Sequence, residues 1–191
     1  MVKVSVIKKQ AKLSLKKSFG ICLGASLLLT LFCSLLSITG IGGLFVNIFT
    51  VGYCSLYVAA YRHGNAKIEM LFSGWKNMGP GLVAGILVPL YTFLWSLLFV
   101  IPGIVKSYSY AMVNFIIQDN PSMTASQAIT LSRHMMKGHK WKLFWLKFSF
   151  IGWHLLGVIT LGLSNLYFIP YSMASHTAFY EVVKAEYQQR N

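Results

Sequence analysis

Between Phe148 and Tyr180 the chain carries no Asp, Glu, Lys or Arg, and two further uncharged stretches run from Ser18 to Tyr61 and from Asn77 to Val105. Crossing roughly 30 Å of hydrocarbon takes about 20 apolar residues, so each stretch has room for more than one crossing. Within a bilayer the backbone must satisfy its own hydrogen bonds, and a helix does so inside one segment. The predicted fold class is all-α: a polytopic membrane helical bundle of six transmembrane helices in three hairpins, with both termini cytoplasmic. The whole chain, 1–191, reads as one membrane domain with spans near 20–38, 44–61, 80–101, 104–118, 143–159 and 166–183.

The formal net charge is +13 although only 11% of residues are charged. Such an excess on a soluble fold would suggest nucleic acid, whose binders line one face with cations. Here the cations fill the gaps between apolar runs, so no nucleic acid is expected. Sixteen of the seventeen Lys and Arg fall in 1–19, 62–76, 119–147 and 184–191, while the turns at 40–43, 101–103 and 160–165 hold none. Positive charge gathered in alternate short loops places those loops on the cytoplasmic side. The expected location is the cytoplasmic membrane of a bacterium, with the lipid bilayer and its anionic phospholipid headgroups as partners.

Two basic segments stand out. Residues 1–19 carry Lys9, Lys12 and Lys16 at helical spacing, as are Ile7, Ala11 and Leu15. This fits a basic amphipathic helix lying on an anionic leaflet, and equally a lysine cluster that only sets orientation. The second segment joins a helix at 124–137 to the fifth span. Thr124 and Gln127 form a capping-box pattern, and Arg133, Lys137, Lys140 and Lys142 follow before Trp141 and Trp145 mark the change to apolar sequence. Indole rings favour that boundary because one edge is wet and the other apolar. This elbow is the expected surface for lipid or a protein partner. Between the two segments, I-E-M-L-F at 68–72 reads as a short interfacial helix.

The seventeenth cation, Lys106, falls inside the predicted fourth span beside Tyr108 and Tyr110. An ionisable group there is a functional candidate, or a side chain that snorkels to the outer headgroups. Asn47, Asn114, His154 and His176 are the other candidate intramembrane polar residues. Two histidines without a carboxylate or thiolate beside them make a poor metal site. The three cysteines form no C-x-x-C, and no nucleophile, base and acid fall into a catalytic set. No catalytic residue, metal, cofactor or enzymatic activity is expected.

The strings I-P-G-I-V-K-S-Y-S-Y-A-M (101–112), D-N-P (119–121), A-I-T-L-S-R (128–133), M-K-G-H-K-W-K-L-F (136–144), S-F-I-G-W (149–153) and P-Y…F-Y (170–180) together resemble a bacterial integral membrane family called domain of unknown function nine-seven-five. It is distantly similar to the membrane part of glycerophosphodiester phosphodiesterases. The resemblance implies a multi-span protein and brings no activity, because no hydrolytic domain accompanies it. The expectation is a non-enzymatic membrane scaffold or interaction protein with a basic cytoplasmic face. The alternatives are a transporter or exporter component for lipids, peptides or amphipathic molecules, or immunity against membrane-active peptides.

Overall fold

The computed structural model describes residues 4–37, 42–98, 100–153, 160 and 164–190, and within these the secondary structure is helical, with no strand. The long helices are α1 (Val4–Ser37), α2 (Gly42–His63), α3 (Met78–Leu98) and α8 (Asn165–Gln188). Shorter ones are α4 (Val100–Ser109), α5 (Val113–Asp119), α6 (Ala125–Met135) and α7 (Lys140–Phe148). Two of them, Val4–Leu35 within α1 and Met78–Leu97 within α3, are long and apolar enough to cross a membrane.

α1 departs from helical backbone at Ser18 (φ −124°, ψ 22°), where the lysine-bearing half meets the uncharged half. The Ser18 hydroxyl donates to the Gly64 carbonyl at 3.2 Å, tying the bend to the end of α2. Above it, the Ser26 hydroxyl bonds the Cys22 carbonyl at 2.7 Å and lies 2.7 Å and 3.1 Å from the hydroxyls of Tyr53 and Tyr57. Such buried polar contacts fasten helices where the surroundings offer no competing water. Below the bend, Ile7, Ala11 and Leu15 are buried in the core, and α1 packs along α8. The apolar stripe of the basic helix is thus covered by protein; Lys9, Lys12, Lys16, Lys17 and Leu13 remain outward, while Lys8 lies over the Phe150 ring.

The segment after α2 differs from a compact surface loop. Residues Ile68–Asn77 form a 3-10 helix, which at about 2 Å per residue reaches roughly 20 Å. It lies back along α2, backbone against backbone: a Cβ on Gly52 would strike the Leu71 carbonyl, and one on Gly74 would strike the Ile48 carbonyl. Phe72 and Trp75 meet Phe49 edge to face, which adds to the close fit. A 3-10 run this long needs such support, since its hydrogen bonds are poorer than those of an α-helix.

The expected tight turn at 101–103 is helical. α3 ends at Leu98 and α4 begins at Val100, so Pro102 sits in a first turn whose N–H groups lack intrahelical acceptors anyway. Gly103 seats directly on Ser96 of α3. α3 itself runs unbroken through Pro89. Two G-x-x-x-G patterns occur, Gly20–Gly24 and Gly81–Gly85: Gly20 and Gly24 face open space, whereas Gly85 lies against Asn47, close enough that a Cβ would come within 2.9 Å of it.

Candidate functional site

Residues 110–112 interrupt what would be one helix from Val100 to Asp119. Backbone bonds there shorten to three-residue spacing, Ala111 N–H to Tyr108 O and Val113 N–H to Tyr110 O. Ser132 of α6 fills the gap left in the ladder. Its hydroxyl donates to the Ser109 carbonyl at 2.8 Å and accepts from the Met112 N–H at 3.3 Å. Ser132 and Ser109 are both buried, so these backbone groups would otherwise be costly orphans. α6 is set at this place by its own start. Thr124 and Gln127 form the capping box, with bonds of 2.9 Å and 3.3 Å.

Seating Ser132 on the broken helix brings the next residues of α6 beside Lys106. Lys106, Ser109, Arg133, His134, Lys137 and Lys140 line one cavity of about 300 Å³. Four of the six are permanent cations, and no acid lines the cavity. The Lys106 ammonium lies 4.1 Å from the centre of the Trp95 ring, a cation–π contact that orients it without neutralising it. Gly138, with φ +84°, reverses the chain after α6 and returns Lys140 to the same cavity.

Beside it, α7 presents an aromatic ledge. Trp141 stacks on Phe144 (4.9 Å between ring centres, 13°), and Trp145 meets Phe148 edge to face at 5.4 Å. Trp141, Trp145 and Phe148 are exposed. Lys147 lies over the Tyr108 ring at 5.1 Å.

The other candidates are placed as follows. Lys9, Lys12 and Lys16 rim a cleft of about 590 Å³ with Leu13, Phe19 and Tyr167. Tyr108 faces Phe144 and Tyr110 is buried near Tyr91. Asn114 donates to the Asn47 side-chain oxygen at 3.1 Å, and Asn47 donates to the Gly81 carbonyl at 2.7 Å, so these two meet. They line a separate cavity of about 130 Å³ that shares no residue with that of Lys106. His176 Nε2 is buried without a hydrogen-bond partner among the described residues, and His154 lies outside them. Lys142 turns toward Glu186 (3.8 Å). His139, also beside Glu186, has its pKa pushed down by burial and by Lys142, with Glu186 acting the other way.

Sequence reasoning missed one group entirely. Arg62 at the end of α2 grips Asp119 at the end of α5 through two bonds, 3.0 Å and 2.7 Å, and reaches Glu181 of α8 at 2.8 Å. Tyr180 donates to the same Asp119 oxygen at 2.8 Å, and Lys184 pairs with it too. The Asp119 side chain is only 6% exposed. Burial alone would raise its pKa, but the bonds from Arg62, Lys184 and Tyr180 outweigh this and hold it below the usual carboxylate range. For Arg62 burial alone would lower the pKa, but Asp119 and Glu181 outweigh this and raise it. The signal lay in scarcity: with four acids in the chain, any acid at a span end needs a cation from another helix.

A family model described as a protein of unknown function, DUF975, matches residues 1–187. The chain belongs to that family. No curated protein and no solved structure matches this DUF975 protein, so the likeness to phosphodiesterase membrane parts gains no support. Among the described residues of the DUF975 chain, no three His, Cys, Asp or Glu side chains gather as a metal-ligand set.

Proposed function

We propose that this DUF975 protein is a non-enzymatic, multi-pass protein of the bacterial cytoplasmic membrane that holds anionic lipid on its inner face and so serves as a membrane scaffold. In this reading the chain crosses the membrane several times with Arg133, Lys137 and Lys140 on the inner side. Lys106, which lines the same cavity, is then an inner-side residue rather than one that snorkels to the outer headgroups. The stretch 104–118, broken at 110–112, does not stand as a simple crossing, and the 3-10 helix at Ile68–Asn77 is a re-entrant piece folded back along α2. One observation carries this reading: three of the four acids are used up inside the molecule, while Glu69 stands exposed in the 3-10 helix. Asp119 and Glu181 are clamped by Arg62, and Glu186 faces His139, Lys142 and Arg190. Arg133, Lys137 and Lys140 of the elbow have no acid partner among the described residues, and they stand near the exposed Trp141 and Trp145, the pairing of charge and indole that suits a lipid headgroup layer.

A carrier reading draws on the Asn47–Asn114 cavity. That cavity and the Lys106 cavity have no lining residue in common, which speaks for binding over passage.

Impermeant-thiol labelling of intact cells tests the topology. Lys137→Cys should label only after permeabilisation and Gly42→Cys without it, and the reverse pattern would overturn the reading. Purified protein should melt higher with phosphatidylglycerol than with phosphatidylcholine, and equal shifts would remove the lipid-holding role.

A further inference from the structure

Four cations around about 300 Å³ with no acid form an arrangement that repels itself until something negative enters. Arg133 and Lys137 are exposed, and none of the four cations has an ion-pair partner among the described residues. Lys106 is the revealing member. It belongs to α4, whose outward residues Ile101, Ile104 and Val105 are bare and apolar, Ile101 being 75% exposed. The cavity therefore opens where a charged wall meets an oily one. Its volume is at the small end for a ligand pocket, enough for a headgroup and too little for the acyl chains.

We infer that this cavity is a binding site for a lipid whose headgroup carries two phosphate groups held close together by a short linker. The inference rests on the membrane reading given above. A single phosphodiester carries one negative charge and would leave most of the cations unmatched. Two phosphate groups double the matched charge, and they offer oxygens both to the planar fork of Arg133 and to the point charges of Lys106, Lys137 and Lys140. The acyl chains then lie over Ile101, Ile104 and Val105. A free diphosphate would gain the same charge contacts and leave that apolar wall uncovered, so the lipid-borne form is the favoured occupant. Like-charged pockets of this kind between membrane helices are known to take multiply phosphorylated headgroups.

The test uses the full chain in nanodiscs, with bound lipid counted by native mass spectrometry. Cardiolipin, which carries two phosphodiesters, should be retained about ten-fold over phosphatidylglycerol at equal total charge. The exposed-site double variant Arg133→Gln/Lys137→Gln should lose that preference while keeping its lipid-free melting point. A control, Lys9→Gln/Lys12→Gln, removes equal charge elsewhere and should keep the preference. Equal retention of the two lipids, or a preference that survives Arg133→Gln/Lys137→Gln, overturns the site. Free pyrophosphate displacing cardiolipin at equimolar concentration would overturn its lipid-borne character. Wrong topology would appear in the thiol labelling instead, so the two failures are distinguishable.

Discussion

Two clusters of cations in this protein have opposite fates. At the end of α2, Arg62 and Lys184 surround Asp119 and Glu181, and Tyr180 completes the set. Around α6, Lys106, Arg133, Lys137 and Lys140 surround a cavity. The first is a closed electrostatic unit that ties α2, α5 and α8 together. The second is an open one held in place by neutral contacts, chiefly those of Ser132. Charge that is matched within the chain serves the fold, and charge left unmatched is available for a ligand. The two differ in their acids alone, since both are rich in Lys and Arg.

The sharpest way to break this contrast is Asp119→Asn. It leaves Lys184 facing a neutral group and Arg62 with Glu181 as its remaining acid, and loss of one member of a largely buried ion pair should cost about 3 kcal/mol, the lower part of that range because Arg62 is about a third exposed. Thermal unfolding in detergent measures it. The pH dependence has a fixed sign. Asp119 is depressed in the folded state, so its contribution is complete above the ordinary carboxyl value of about 3.9 and fades as pH falls through the lower folded value. Wild-type stability should therefore hold near neutrality and decline in acid, and Asp119→Asn should flatten that decline.

Ser132→Ala should come next, at about 2 kcal/mol, because a buried Met112 N–H and Ser109 carbonyl lose their shared partner. It should also weaken anion binding by releasing Arg133 from Lys106, a double effect that Asp119→Asn should not produce. The smallest change is expected from Arg133→Gln/Lys137→Gln, within about 0.5 kcal/mol of wild type, as for exposed sites outside the packed core. A cost comparable with that of Asp119→Asn would show that the open cluster is structural after all. Salt offers a further contrast: lipid binding at the exposed cluster should fall with ionic strength, whereas the buried clamp is screened far less.

Several features were legible before any coordinates. The Thr124–Gln127 capping box follows from four residues of sequence and is present with both of its bonds. The change from lysine-bearing to uncharged sequence near residue 19 coincides with the bend at Ser18, although the bend itself was not legible in it. The short helix at 68–72 was legible in I-E-M-L-F, but neither its 3-10 form and seat on α2 nor the break after Ser109 had a local signature strong enough to read. The first depends on Gly52 and Gly74 meeting a foreign backbone, and the second on a serine more than twenty residues away. The I-P-G at 101–103 misled because Pro and Gly are common both in turns and in first helical turns.

What the sequence determined by itself was the helical class, because uncharged runs of 29 to 44 residues leave the backbone few other ways to satisfy its hydrogen bonds in an apolar setting. Family membership was legible there as well. Only the tertiary structure decided which cations face an acid and which face a cavity. Composition counts charges, but the energy of a charge depends on distance and burial, and those are fixed when Arg62 reaches Asp119 and Ser132 closes on Ser109.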